Sequence, residues 1–458
     1  MERHGAAVSD VPISGRKSGM RGATLEALHA LQSALCVSVT HYRSIPAATA
    51  TLMIAPKQLF RAVLCLLPFA GSAQAATVDA FSACVSDLRD EAARHDISAP
   101  VIDESLASVE RIERVVELDR SQPEFTTPFS EYLGRRVTDT RVDKGRELLE
   151  RHEDLLRDIY RGYGVPPRYL VAFWGMETNF GSYFGGVSTM NALATLACDD
   201  RRSGYFTEQL MAALAIVDEG AIPADRMEGS WAGALGHVQF MPSVFAEYAV
   251  DYDDDGRRDL WNSVPDAMAS AANFLRGIGW NPGWRWGREV TLPADFPYEL
   301  SGYDNRRSMQ EWKELGVRTA YDRPLSGADT EAALIVPSGH EGPKFLVYDN
   351  FNVIMRWNQS EFYALAVGHL ADRLSGASGL MNPPPENAPR MTRDDVIALQ
   401  ERLNERGFDA GAADGIPGPQ TRAAIRRFQK EQGMIADGYA SRQVLDRLSL
   451  QVAENSED

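Results

Sequence analysis

One acidic residue lies inside an apolar and aromatic run at residues 173–181, and this feature constrains the fold more than any other. Glu177 has Phe173 and Trp174 before it and Phe180 after it. An ionised carboxylate out of water is costly unless it is partnered, so proteins seldom place one in such a setting. The run therefore predicts a structured cleft around Glu177 rather than an open helix face.

Local signals predict that Glu177 lies in the last turn of a helix. A helical body at residues 169–173 follows Pro166 and Pro167, and Gly181 is a typical helix stop. Burial raises the pKa of a carboxyl group by disfavouring its charge, so Glu177 is expected to hold a proton near neutral pH. Such an acid can protonate a glycosidic oxygen. The alternative is a structural glutamate that hydrogen-bonds to backbone.

Two further blocks combine small, amide and aromatic residues. Six of the first eight positions of residues 229–243 are small, which lets backbone approach a ligand closely. In the same block, Gln239 offers an amide and Phe240 a ring face, which together suit a sugar. A second amide and aromatic cluster follows at residues 356–358 and Tyr363.

These blocks, in this order, resemble the lytic murein transglycosylase B family. The resemblance covers residues 80 to 374, and its several blocks are more specific than any single motif. It implies a mainly α (α+β), lysozyme-like catalytic region in which Glu177 is the single catalytic acid. It also implies substrate-binding positions at Ser230, Gln239, Phe240, Trp357, Asn358 and Tyr363.

The chain departs from the family pattern at two positions. Trp357 stands where the family has tyrosine before the asparagine, and Asn273 is followed by Phe274 where the family often has tyrosine. Both changes keep a ring and lose a hydroxyl. The resemblance therefore implies ring stacking at these two positions, but it implies no hydrogen bond from a tyrosine hydroxyl.

The resemblance implies that Glu177 alone catalyses a reaction for which glycoside hydrolases usually use two carboxyl groups. Glu177 would protonate the MurNAc–GlcNAc bond, and the muramyl C6 hydroxyl would then attack C1 and leave a 1,6-anhydro end. This chemistry needs no cofactor and gains the effective molarity of an intramolecular reaction. The cleft blocks hold no other carboxylate except Glu361, whose neighbours predict a helix start. A muramidase-type hydrolase and a non-catalytic wall-binding scaffold are the alternatives.

An acidic loop carries the opening pattern of an EF-hand calcium site. Asp251, Asp253 and Asp255 occupy alternate positions, and Gly256 follows at the sixth. Oxygen ligands at this spacing suit a hard cation, and the glycine permits a sharp turn. The loop predicts a structural Ca²⁺ that tethers the cleft wall. The alternative is a solvated acidic loop.

The remaining calcium ligands come partly from the resemblance. Position seven of an EF-hand ligates through its carbonyl, which assigns Arg257. The twelfth position, usually glutamate, is Asn262 here. The resembling family uses a longer loop, so Asp266 is implied as the closing carboxylate.

The first 75 residues are predicted to be targeting material. Residues 1–52 have no core pattern and suggest an upstream-start extension or a disordered leader. Residues 53–75 predict a signal peptide, with a basic start, an apolar run too short to span a membrane, and a small-x-small cleavage site. No cysteine follows that run in a lipobox, which favours periplasmic export over a lipoprotein.

The mature chain is strongly acidic. Removal of residues 1–75 leaves 40 basic and 61 acidic residues, a net charge of −21. This charge argues against nucleic acid and anionic membranes as partners. Cys84 and Cys198 are the two cysteines that remain, and an oxidising compartment favours one disulfide between them. Two separate buried thiols are the alternative.

Composition divides the mature chain into three parts. Residues 76–374 are predicted to be the catalytic region, mainly helical, with a small β-containing insertion at 282–345. Residues 375–390 have a linker composition. Residues 391–449 predict a compact domain.

The pattern at residues 414–421 resembles the peptidoglycan-binding domain 1 family, which implies a small three-helix, wall-binding domain. Thr421 or a neighbour would cap the helix that this pattern opens. Such a domain would raise the effective concentration of substrate at the cleft. The expected partners are peptidoglycan glycan strands and cell-wall synthases. The protein is expected to be a monomer with no integral membrane segment in the mature chain.

Overall fold

The structure, a computed structural model, describes residues 70–121, 127–327, 329–386 and 389–455. The predicted leader at 1–52 and the predicted signal peptide up to residue 69 lie outside the described residues. Residues 70–75 open the first helix. Within the described ranges, no helix combines the length and the apolar character needed to cross a bilayer.

The chain up to residue 277 forms helices joined by short connections. These helices are α1 (Ala70–Arg94), α2 (Ala99–Leu106), α3 (Glu113–Ser121), α4 (Phe129–Arg136), α5 (Asp139–Arg151), α6 (Glu153–Tyr163), α7 (Pro167–Thr178), α8 (Thr189–Ala197), α9 (Ser203–Asp218), α10 (Pro242–Tyr248) and α11 (Val264–Gly277). Two short strands, β1 (Val187–Ser188) and β2 (Glu228–Gly229), pair antiparallel. Helices α13 (Asp349–Trp357) and α14 (Glu361–Leu374) complete this main helical region.

The insertion, residues 287–347, forms an antiparallel five-stranded sheet with its own apolar core. Its elements are β3 (Gly287–Thr291), β4 (Arg307–Ser308), α12 (Met309–Glu314), β5 (Arg318–Thr319), β6 (Glu331–Ile335) and β7 (Lys344–Val347). The strand order is β4-β6-β7-β3-β5. The predicted β-containing insertion is confirmed. Its last strand runs two residues beyond the predicted boundary because Leu346 and Val347 pair with β3.

Helix α7 runs through the centre of the main helical region. The residues from Tyr169 to Phe173 have no exposed surface, as expected of a helix enclosed on all sides. Helices α5 and α14 and the 3₁₀ turn Gly236–Val238 contact it. The apolar run before Glu177 therefore forms a central element of the fold.

Helix α7 ends earlier than the predicted stop at Gly181. It ends at Thr178, and Asn179, Phe180 and Gly181 follow with φ of +49°, +62° and +75°. Asparagine tolerates the left-handed conformation at a helix end, so it serves where glycine was expected. The prediction that Glu177 lies in the last helical turn is confirmed.

The C-terminal module consists of α15 (Arg393–Glu405), α16 (Pro419–Glu431) and α17 (Arg442–Asn455) around a separate core. The predicted cap of α16 is wrong. Gly418 is the N-cap and Pro419 the first helical residue. Thr421 is buried inside the helix, where its hydroxyl donates to Ala410 O at 2.9 Å and accepts from the Gln400 amide.

The segment before the module is bonded to the insertion. The backbone N–H groups of Met381 and Asn382 donate to the Glu289 carboxylate at 2.9 and 2.7 Å. Farther along, His340 donates its backbone N–H to Asp437 of the module at 2.9 Å, and its Nδ1 lies 2.7 Å from the same oxygen. The module is therefore docked on the insertion, although the sequence predicted a tethered domain.

A disulfide joins Cys84 of α1 to Cys198, the residue after α8. Their Cα atoms are 6.0 Å apart, and 114 positions separate them in the chain. The bond fastens the first described helix to the helical core.

Candidate active site

The carboxyl group of Glu177 is half-buried and receives two hydrogen bonds from one segment of the chain. Its Oε1 accepts the Trp357 indole N–H at 2.8 Å and the Tyr363 hydroxyl. Trp357 ends α13, and Tyr363 lies in the first turn of α14. The short connection between the two helices thus brings both donors to the acid.

Two donors on one oxygen have a direct chemical consequence. They orient the carboxyl group, and they stabilise negative charge on it once a proton has left. Trp357 also resolves the departure from the family pattern. The chain lacks a tyrosine hydroxyl at this position, and the indole N–H of Trp357 supplies a hydrogen bond in its place.

Buried rings hold Trp357 in place. The ring centroid of Trp357 lies 4.3 Å from that of Phe173, 5.1 Å from Phe274 and 5.5 Å from Phe240. Phe240 is 0% exposed, and a ring without exposed area cannot stack on a sugar. The interpretation of Phe240 as a sugar-stacking ring is therefore corrected. Its ring supports the indole that contacts Glu177.

The loop at residues 229–240 uses its polar groups to hold its own shape. The Ser230 hydroxyl accepts the Ala234 N–H at 3.0 Å. The Gln239 amide donates to Phe184 O and Gly236 O, both at 3.0 Å. A substrate contact by Ser230 or Gln239 stays a prediction.

The small residues of this loop permit close approach within the protein itself. A Cβ added to Gly236 would lie 2.3 Å from Leu260 O, and one added to Gly229 would lie 2.2 Å from Ala234 O. Glycine is therefore required at both positions, because neighbouring backbone leaves no room for a side chain. The prediction from the sequence was that these small residues allow a ligand to approach the backbone.

Asn358 shapes the turn between the two donor residues. It is 2% exposed, and its Oδ1 accepts the Ser360 N–H at 3.1 Å. Ser360 in turn caps α14, with its hydroxyl accepting the Tyr363 N–H at 3.3 Å. These bonds set the position from which Tyr363 reaches Glu177. Binding of substrate by Asn358 stays a prediction.

Three residues that were not predicted as site residues tie helix α7, which carries Glu177, to the loop at 229–240. The Thr178 hydroxyl donates to His237 O at 2.9 Å, and Trp174 Nε1 donates to His237 Nδ1 at 2.9 Å. Burial lowers the pKa of His237 to about 4, so the neutral ring accepts this bond near neutral pH. The adjacency of Thr178 to Glu177 was the available signal.

Glu361, the second carboxylate of the cleft blocks, is already engaged. Its Oε2 accepts the Tyr303 hydroxyl, and its Oε1 lies 3.4 Å from Nη1 of Arg422 in the C-terminal module. Glu361 and Arg422 line a cavity of about 790 Å³ at the junction of the insertion, α13, α14 and the module. Its two partners fit a structural carboxylate better than a second acid–base group.

Removal of the Tyr363 hydroxyl tests the donor role. Tyr363→Phe is expected to lower kcat by about 10- to 100-fold, because a hydrogen bond to a charged group contributes about 1.5–3 kcal/mol. KM should change little, since the ring remains. Steady-state kinetics on a short peptidoglycan fragment measure both. Tyr160→Phe, at an exposed tyrosine of α6, is the control, and an unchanged kcat for Tyr363→Phe would contradict the role.

The acidic loop brings three of its predicted ligands together. Ligand atoms of Asp251, Asp253 and Asp255 all lie within 4.8 Å of one another. The Gly256 N–H donates to Asp251 Oδ2 at 2.8 Å, and the Arg257 N–H donates to Asp255 Oδ1 at 2.9 Å. Use of the Arg257 carbonyl as a ligand stays a prediction.

Asp266 lies outside this carboxylate group. It is fully buried, and its two oxygens accept the backbone N–H groups of Tyr252 at 2.8 Å and Asp259 at 2.9 Å. The predicted ligand set is corrected accordingly. Asp266 braces the backbone of the loop, and Ser263, which caps α11, links it to Asp253 through the hydroxyl.

Two family profiles together match most of the chain. The family described as Transglycosylase SLT domain matches residues 80–372, and a peptidoglycan binding domain family matches residues 392–448. Membrane-bound lytic murein transglycosylase B of Escherichia coli (strain K12) is 29% identical over 294 residues, which are 62% of this chain and 80% of that protein.

Solved structures extend the similarity. SltB3 from Pseudomonas aeruginosa, in complex with NAG-anhNAM-pentapeptide, superposes with a TM-score of 0.78 at 43% identity, covering 81% of this chain and 99% of that chain. Escherichia coli SLT35 in complex with calcium gives a TM-score of 0.56 at 30% identity, covering 64% and 92%. These similarities confirm the predicted fold class, a lysozyme-like helical region followed by a three-helix domain.

Proposed function

Because this chain belongs to the transglycosylase SLT domain family and is a lytic murein transglycosylase, we propose that it cleaves the MurNAc–GlcNAc β-1,4 bond without water and leaves 1,6-anhydro-MurNAc ends. The observation that carries the proposal is the half-buried Glu177 with two donors on one oxygen. The reaction would serve remodelling or recycling of the cell wall.

The proposed reaction uses Glu177 twice. Its proton passes to the glycosidic oxygen, the bond from muramyl C1 to that oxygen breaks, and GlcNAc leaves with a hydroxyl group. The Glu177 carboxylate then takes the proton of the muramyl C6 hydroxyl while O6 bonds to C1. Glu177 ends protonated and no water is consumed. Between the two proton transfers, Trp357 and Tyr363 would stabilise the Glu177 carboxylate.

A muramidase-type hydrolase is the competing reaction. Such enzymes place a second carboxylate across the bond as nucleophile or as base for water. The engagement of Glu361 by Tyr303 and Arg422 supports the one-acid route. Mass spectrometry of digested sacculi tests the proposal: anhydro-muropeptides are expected, and products heavier by one water would overturn it.

We further propose the division of the mature chain and its destination. Residues 76–374 are the catalytic region, 375–390 the connection and 391–449 the wall-binding domain, and residues 53–75 direct export to the periplasm. The disulfide supports an oxidising compartment. The cleft is proposed to lie between the loop at 229–240 and the turn before α14.

The C-terminal module is proposed to bind peptidoglycan. In a Glu177→Gln background, which prevents digestion, deletion of residues 391–458 is expected to weaken binding to purified sacculi by about 10²-fold, through loss of a second attachment. Co-sedimentation measures the affinity. The matched control is the full-length Glu177→Gln protein, and equal binding of the two proteins would contradict a wall-binding role.

Calcium is proposed to bind at Asp251, Asp253 and Asp255. The convergence of their oxygens supports this site, and the oxygen donors suit a hard cation. The calcium complex of SLT35 adds support from a related fold. The ion would hold the loop, which Asp266 links to α11, and would take no part in bond cleavage.

Addition of Ca²⁺ is expected to raise the unfolding temperature. At a concentration of 100 times Kd, binding stabilises the folded state by about 2.7 kcal/mol. Asp253→Asn should abolish the rise, whereas Asp254→Asn, at the neighbouring acid outside the group, should keep it. Differential scanning calorimetry with Ca²⁺ and with EDTA measures the change. The same unfolding temperature in both buffers would refute the site.

A further inference from the structure

Three parts of the molecule meet at the carboxylate of Glu361. Glu361 is the first residue of α14. Arg422 of the module approaches one of its oxygens, and Tyr303 of the insertion donates to the other. The Glu361 side chain is only 9% exposed, so its charge depends on these partners rather than on water.

Both partners are held by their own surroundings. Arg422 Nε donates to Pro417 O at 3.1 Å within the module. Burial lowers the pKa of Arg422, but the charge and hydrogen bond of Glu361, together with Tyr303 and Tyr439, leave that pKa raised. Burial, followed by the charge of Glu361, raises the pKa of Tyr303 well above its usual value, so its hydroxyl remains a donor. The contact therefore joins an arginine anchored within the module to the carboxylate at the start of α14.

The same turn of α14 carries a donor to the catalytic acid. Tyr363 lies two residues after Glu361 and bonds Glu177 through its hydroxyl. Its backbone N–H is tied to the cap residue Ser360. Because these residues share one helical turn, a change in the position of Glu361 also moves Tyr363.

We propose that Arg422 is a positioning residue for the catalytic acid: by holding Glu361 it fixes the first turn of α14 and keeps the Tyr363 hydroxyl on Glu177. Without Arg422, the buried carboxylate of Glu361 would keep only a neutral donor, and movement of the turn toward water would relieve this. The C-terminal module is thus part of the active-site architecture. The inference rests on the function proposed for Glu177.

A double-mutant cycle with Tyr363 tests the proposal on a short soluble glycan. Arg422→Ala is expected to lower kcat about tenfold with KM unchanged, less than the roughly 10²-fold that a 1 Å misplacement can cost. In the Tyr363→Phe background the same substitution should change kcat by less than about twofold, because the contact through which it acts is gone. Arg422→Lys should restore part of kcat.

Lys430 provides a matched control. It also lies on α16 and also pairs with a carboxylate of the insertion, Glu299, at 3.3 Å, but this contact does not reach α14. Lys430→Ala should leave kcat unchanged. Additive effects of Arg422→Ala and Tyr363→Phe, or an equal loss in Lys430→Ala, would overturn the proposal.

Two further measurements keep the result decisive. Thermal unfolding shows whether each variant is folded. If Arg422→Ala is not, the same cycle is run with Arg422→Gln, which keeps much of the side chain and removes its charge. The products released by the unmodified protein distinguish failure of the proposed function from failure of the role proposed for Arg422. Absence of anhydro products would defeat the proposed function, whereas anhydro products together with an additive cycle would defeat only the role of Arg422.

Discussion

Replacement of Glu177 by glutamine is expected to abolish the release of anhydro-muropeptides while glycan binding persists. Glutamine keeps the size of the side chain but can neither donate an acidic proton nor accept one afterwards. General acid–base catalysis contributes up to about 10⁴-fold in rate. Because Glu177 is proposed to act in both halves of the reaction, a loss of about 10⁴-fold or more in kcat is expected.

The measurement combines mass spectrometry of released products with co-sedimentation on sacculi. Glu104→Gln is the matched control, because Glu104 is an exposed acid on α2, and it should retain full activity. The orientation of residue 177 should survive the change, since the amide oxygen can still accept from Trp357 and Tyr363. Measurable turnover by a folded Glu177→Gln protein would refute the assignment of the acid.

Loss of the disulfide is expected to have the largest effect on stability. Cys84 and Cys198 are separated by 114 residues, and a closed loop of this size restricts the unfolded chain strongly. If loop-closure entropy dominates, the double variant Cys84→Ser/Cys198→Ser should lose about 5 kcal/mol of unfolding free energy. For a chain of this length, that loss corresponds to a fall of roughly 5 to 10 °C in the unfolding temperature.

The matched control is the unmodified mature protein unfolded in the presence of reductant. It should unfold at the temperature of the double variant, because both lack the same cross-link. Activity at low temperature should persist, since neither cysteine contacts the residues around Glu177 that are described above. Identical unfolding temperatures for the oxidised protein and the double variant would contradict the stabilising role.

Several features of this fold were predictable because they depend on near neighbours in the chain. Prolines before an apolar run placed the start of α7 and put Glu177 in its last turn. The sequence pattern also predicted a mainly helical region with a small β-containing insertion at 282–345, and β3, β6 and β7 belong to that insertion. In each case the signal is a local backbone preference or a burial period, which a single sequence records directly.

Other features were not predictable because the same residue types suit two environments. An aromatic residue such as Phe240 can stack on a sugar. In the folded protein, however, Phe240 packs with Phe274 and Trp357, and its ring has no exposed area. The glycines of its loop fit ligand approach and tight backbone packing equally well. Asp266 has the right chemistry for a cation, but its oxygens are taken by backbone N–H groups.

The sequence by itself determined the position of the acid, the kinds of elements around it and their order, since these follow from short-range preferences. Only the tertiary structure decided what the acid touches. Trp357 and Tyr363 reach Glu177 across 180 and 186 positions of the chain, and Arg422 reaches Glu361 across 61. No local pattern encodes such pairs, because they form only when helices and domains pack together.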